Sequence, residues 1–132
     1  MKLSTAIRIG SMTTKQITIN MRDGGNGRCA IGAALDALGY NFCGVHLAEA
    51  TRHFPVINSI VVRPGFDGIE PRKCVMYEAI MTLNDSAGWA RELIADWVEG
   101  EERKLGLWPE SGQNVPQNVP QEVKNESIPV NA

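Results

Sequence analysis

What is missing narrows the field first. No stretch approaches the ~20 consecutive apolar residues of a membrane-spanning helix, so no span is expected. The opening Met-Lys-Leu-Ser-Thr-Ala-Ile-Arg-Ile-Gly has no long apolar core and does not read as a secretory signal. Neither sign of charge dominates, since 13 Lys and Arg against 15 Asp and Glu leave a net charge of −2. Glu110, Glu122 and Glu126 against Lys124 account for that imbalance, so the chain up to Lys104 is neutral. A neutral body lacks the basic field that non-specific nucleic-acid binding requires. The cysteines, Cys29, Cys43 and Cys74, are odd in number and contain no C-x-x-C pair. They suit a reducing cytosol better than a disulfide framework. The glycine-rich run from Asp23 to Cys29 lacks the lysine and hydroxyl of a phosphate-binding loop, and no parallel βαβ series follows it. No cofactor is expected.

What remains is an ordinary globular composition. The 132 residues, 43% hydrophobic and 21% charged, suit one small domain with its own core. Leu3, Ala6, Ile7 and Gly10 recur at helical spacing and predict a helix over 3–12. Ile17, Ile19 and Met21 alternate with polar residues across 16–22, as in a short strand. Asp23-Gly24-Gly25-Asn26-Gly27 is a loop. Ile31, Ala34, Leu35 and Leu38 form one stripe of a second helix, which Gly39 stops. A third helix is expected over 45–54, with Leu47, Ala50, Thr51 and Phe54 on one face and Pro55 ending it. The β-branched run within 57–63 reads as a strand, which can pair with 16–22 as a two-stranded ribbon. Pro71 suits the first turn of a fourth helix whose stripe is Met76, Ala79, Ile80 and Leu83. A last helix over 90–104 is expected to turn Leu93, Ile94, Trp97 and Val98 inward. The fold class is therefore mainly α (α+β), with about five short helices, the ribbon, and a tail. The globular part spans 1–108. Residues 109–132 carry the repeat Asn114-Val115-Pro116-Gln117, Asn118-Val119-Pro120-Gln121. They hold too few large apolar side chains to offset ordering entropy, and are expected to be disordered.

Two blocks carry a resemblance. Cys29, Gly32, Ala33, Ala37 and Gly39 fit C-x-x-G-A-x-x-x-A-x-G. Leu83, Asn84 and Asp85 then lead to Trp89, Arg91, Glu92, Ile94, Ala95, Asp96, Trp97 and Val98, which fit W-[ST]-R-E-x-I-A-D-W-V. The chain resembles a family of small phage and prophage proteins with a C-x-x-G-A helix, an L-N-D turn and this final helix. The resemblance covers about half the chain and implies no particular activity. Ala90 departs from the Ser or Thr of the pattern, which removes a helix-capping hydroxyl worth ~1 kcal/mol.

Several residues are candidates for chemistry. Cys29 opens a helix after a glycine-rich loop, where a helix N-terminus favours a thiolate. His46 or His53 can supply a base and Asn84 or Asp85 can orient it, as in thiol-nucleophile enzymes. Against this stands a small buried cysteine and a capped inter-helix turn. Cys43, His46, Glu49 and His53 fall along one stripe if 43–53 is helical, so Cys43, His46 and His53 are candidate metal ligands, with Cys74 as an outside fourth. A half-exposed polar face is the plain reading of the same spacing. Trp108, beyond the last regular helix, is a candidate partner-binding residue.

The leading expectation is a non-enzymatic accessory protein of phage or prophage type, acting in the bacterial cytoplasm by binding a macromolecule. A protein partner is expected rather than nucleic acid or membrane. The alternatives are a cysteine hydrolase or transferase centred on Cys29, and a small DNA-binding regulator. The second is opposed by Glu92, Asp96, Glu99, Glu101 and Glu102 on the last helix, which phosphate would repel.

Overall fold

The computed structural model describes residues 1–17, 27–40 and 47–109. Among them the order is α1 (Leu3–Ser11), β1 (Lys15–Gln16), β2 (Gly27–Arg28), α2 (Ala30–Ala37), α3 (Leu47–His53), β3 (Ile60–Arg63), β4 (Arg72–Val75), α4 (Met76–Asp85) and α5 (Arg91–Lys104). A 3-10 turn at Pro55–Asn58 joins α3 to β3. The expected mainly helical fold is the one adopted. By compactness the chain divides into residues 1–101 and residues 102–132. Residues 23–26 of the expected 23–27 glycine loop, residues 18–22 of the first strand, Cys43, His46 and the tail from Glu110 lie outside the described residues, and Gly27 falls in β2.

In the first unit, α1 and α2 meet at the backbone. A Cβ added at Gly10 would stand 1.8 Å from the Ala33 carbonyl oxygen, so only glycine permits this approach. The core gathers Leu3, Ala6 and Ile7 from α1, Ile31, Ala34 and Leu35 from α2, and Ile94, Ala95 and Val98 from α5. From α4 it takes Met76, Ala79, Ile80 and Leu83, the stripe that helical periodicity predicts. Gly39, at φ 93°, ends α2. Its N–H donates to Asp36 O at 2.9 Å and that of Tyr40 to Leu35 O at 3.1 Å. This paired closure satisfies carbonyls that a helix end leaves open.

Four expectations need correction. The strand at 60–63 does not pair with the described residues of 16–22. It pairs antiparallel with β4, in the register Ile60↔Val75, Val61↔Cys74, Val62↔Lys73 and Arg63↔Arg72. The cause lies at the tip of the connection. Asp67 and Gly68 have φ of 46° and 79°, the two positive values of the tight turn whose twist matches antiparallel strands. Arg63 steadies the approach by donating to Pro64 O at 3.0 Å and Glu70 O at 2.9 Å, with its guanidinium 5.1 Å from the Phe66 ring centre. The Gln16 segment instead makes a two-residue parallel pair, Lys15↔Gly27 and Gln16↔Arg28.

Second, the fourth helix begins at Met76 rather than near Pro71, because Arg72–Val75 is consumed by the hairpin. Pro55 likewise opens a 3-10 turn over residues expected to begin a strand. Third, Leu47 lies on the outside of α3, 45% exposed, while Ala50 and Phe54 are buried. Fourth, α5 is rotated. Arg91, Ile94, Ala95 and Val98 are buried, Leu93 is 49% exposed, and Trp97 is only partly buried against the core. The inward place expected for Leu93 goes to Arg91, whose donors find carbonyls there.

In the second unit, Gly106 (φ 76°) closes the end of α5. Its N–H donates to Arg103 O at 3.0 Å, and that of Leu107 to Glu102 O at 2.9 Å. The Trp108 indole N–H donates to Glu102 Oε1 at 3.0 Å, and the Arg103 guanidinium stands 4.7 Å from its ring centre. Trp108, a candidate partner-binding residue, is thus half-buried as a local lock on the helix end.

Candidate functional site

The densest arrangement of polar side chains lies inside the first unit, where α1, the β1–β2 pair and the ends of α2, α4 and α5 converge. Asn84, in the last turn of α4, is fully buried. Its Oδ1 accepts from Gln16 Nε2 at 3.2 Å and from the Ala30 N–H at 3.3 Å. Its Nδ2 donates to Ile17 O and to Asp85 Oδ1, both at 2.9 Å. These four bonds exhaust the capacity of a carboxamide. Gln16 also donates to Trp89 O at 2.7 Å and accepts the Arg91 N–H at 3.1 Å. Each link serves a helix end. Asn84 satisfies the first amide of α2, and Gln16 satisfies the first amide of α5, beside Ala90, which has no capping hydroxyl of its own.

Arg91 completes the junction at 4% exposure. Its Nη1 donates to Thr14 Oγ1 at 2.7 Å and Arg28 O at 3.2 Å. Its Nη2 donates to Thr14 O at 2.7 Å and Ser11 O at 3.5 Å. Only Nε lacks a partner. Burial pulls the guanidinium's pKa down, and the Glu92 charge opposes that. The Ser11 and Thr14 carbonyls stand at the C-terminal end of α1, where the helix dipole is negative and a cation is favoured. Arg28, also buried, has Nη2 3.9 Å from Asp36 Oδ1.

Cys29 is the N-cap of α2, and its Sγ accepts the Gly32 N–H at 3.4 Å. The thiol is wholly buried. Burial pushes its pKa up and the nearby Asp85 charge pushes the same way, outweighing the Gly32 and Ile31 amides that favour a thiolate. Asn84 and Asp85 are therefore brought to the same end of α2 as Cys29. Their carboxamide–carboxylate bond serves the junction, and the acid discourages ionisation of the thiol rather than promoting it.

His53 is held elsewhere, at the end of α3. Its Nε2 lies 2.8 Å from the Tyr40 hydroxyl, which accepts from Arg52 Nη2 at 3.1 Å. Arg52 is clamped by Glu49, with Nε 3.0 Å from Oε1 and Nη2 2.6 Å from Oε2. That carboxylate's pKa is lowered mainly by its bond to Arg52. The four side chains tie α3 to the residue that closes α2. Cys74 lies on β4, half-buried, opposite Val61. Among the described residues no group of three or more His, Cys, Asp and Glu side chains is placed to hold a metal. None of their helices is long and apolar enough to cross a membrane.

Cys29, Asn84 and Arg91 are buried, while the hairpin faces out with apolar groups. Directly opposed residues of an antiparallel pair share a face, so Ile60, Val62, Lys73 and Val75 stand together. Ile60 and Val62 are each 58% exposed. Val61 and Arg63 turn to the buried side, where α4 packs. Sequence reading missed Gln16 and Thr14, because nothing local distinguishes a glutamine that reaches across the fold from one in water. Compared with protein families, with curated proteins and with solved structures, the chain matches none of them.

Proposed function

We propose that the protein is a non-enzymatic accessory factor, of the phage or prophage kind its sequence resembles, that acts by binding another protein in the bacterial cytoplasm. One observation carries this reading: Cys29, Asn84, Asp85 and Arg91, the motif residues best suited to chemistry, are spent on helix capping and on the buried junction. A nucleophile needs access to substrate and a group that removes its proton. The Cys29 thiol is buried and held protonated. Large apolar side chains meanwhile stand in solvent side by side on the hairpin, and contiguous exposed apolar patches mark interaction sites.

The test is affinity capture with the tagged full-length chain from a bacterial lysate, with and without nuclease, read by native mass spectrometry. A nuclease-resistant complex of fixed stoichiometry is expected. A complex that dissolves with nuclease would move the reading to a nucleic-acid regulator. Alkylation kinetics give the second arm: a Cys29 that reacts faster than a free model thiol at neutral pH would move it to a cysteine enzyme.

A further inference from the structure

The β3–β4 hairpin has an exposed face with two properties that together select a partner. The first is a contiguous apolar ladder. Ile60 and Val62 alternate along β3, and Val75 stands directly across from Ile60. The second is charge. Lys73 shares this face across from Val62. It is exposed, with no carboxylate within ion-pair distance among the described residues. Its neighbour Arg72 is already engaged, with Nη1 3.7 Å from Glu78 Oε2. The sheet has only two strands among the described residues, and a two-stranded ribbon is marginal without cover. Packing of α4 covers the inner side and leaves the outer one.

Resting on the reading of the chain as a protein-binding factor, we infer that the hairpin is its docking surface and that the occupant is an extended segment of a partner protein. That segment lies extended across the outer face, with alternate apolar residues over Ile60 and Val62 and a carboxylate against Lys73. Apolar contact on the ladder supplies affinity, and the charge opposite Lys73 supplies choice. A second copy of the chain fits less well, because its own hairpin face offers another lysine and no acid. The acids of the hairpin, Asp67 and Glu70, lie in the connection instead.

The test uses the purified full-length chain and a pair of synthetic peptides. Each alternates valine and threonine over eight residues, with a glutamate at one central position in the first and a lysine in the second. Binding is read from amide chemical shifts. Perturbations centred on 60–63 and 72–75 are expected, with the glutamate peptide at least tenfold tighter. Lys73→Glu should reverse that preference and restore the lysine peptide. Val62→Asp, at an exposed position that leaves the core intact, should weaken both peptides tenfold or more. Equal binding of the two peptides, shifts centred elsewhere, or no binding would overturn the inference. Concentration-dependent dimerisation abolished by Val62→Asp would also overturn it, in favour of a second copy. A lysate complex that survives Val62→Asp and Lys73→Glu sinks this inference while leaving the protein-binding reading standing. Loss of any nuclease-resistant complex from the wild-type chain sinks that reading itself.

Discussion

Asn84 is a small side chain with four hydrogen-bonding positions, all used in the interior. Replacing it with alanine strands the first amide of α2, one N–H of the Gln16 amide and the Ile17 carbonyl at once. Each buried group left unpaired costs about 1–3 kcal/mol, and relaxation recovers part of that. Asn84→Ala is therefore expected to lose about 2–4 kcal/mol in urea denaturation. A loss under about 0.5 kcal/mol would mean that water enters and replaces the amide. Cys29 makes a prediction about pH. Its folded pKa is raised, so with increasing pH the unfolded chain ionises first, from about 8.5. The thiol's contribution to stability is whole below that value and is lost as pH rises through the folded value. Stability should fall more steeply above pH ~8.5 in the wild type than in Cys29→Ala, and the two slopes should agree near neutrality.

Two glycines on different helices give opposite answers to one substitution. A Cβ at Gly10 meets the Ala33 backbone, whereas one at Gly100 meets nothing within 4 Å. Gly10→Ala should force α1 from α2 and cost about 3 kcal/mol or more. Gly100→Ala, inside α5, should stabilise by about 0.5–1 kcal/mol by restricting the unfolded chain. Thermal melts of the pair measure both. The rotation of α5 is tested the same way: Ile94→Ala should cost about 2–5 kcal/mol, and Leu93→Ala should stay within about 0.5 kcal/mol. These contrasts also mark how far the sequence could be read. The stripe of α4 was legible because Met76, Ala79, Ile80 and Leu83 are all apolar and spaced at 3.6. That of α5 was half legible, because Leu93 and Ile94 look alike in a pattern, and Arg91 at an inward position looks like a surface residue. β4 was missed because Pro71 fits the start of a helix as well as the foot of a hairpin. What decides between them is the Asp67-Gly68 turn, whose two positive φ values no periodicity announces. At the site, Asn84 and Asp85 were legible as an inter-helix cap. Their partner was not, because Gln16 lies 68 residues from Asn84 in the chain.

Across the whole molecule, local closure and distant closure are handled by different devices. The ends of α2 and α5 are finished by neighbours in sequence, through Gly39 and Gly106. The buried junction draws Thr14, Gln16, Ala30, Asn84 and Arg91 from separations of up to 77 residues. That contrast has a consequence for time rather than energy. Segments so far apart meet only after the intervening chain has been gathered in, so the junction's bonds should be absent from the rate-limiting folding barrier. Contacts made after the barrier slow escape from the native state without hastening arrival. Stopped-flow chevrons of Asn84→Ala and Arg91→Lys are therefore expected to keep the wild-type refolding limb and raise the unfolding limb. Slower refolding in either variant would place the junction in the folding nucleus. As a late-set latch, the junction would govern how long each molecule persists between unfolding events, and hence how long it resists proteases when cleavage of the opened chain outpaces its reclosing.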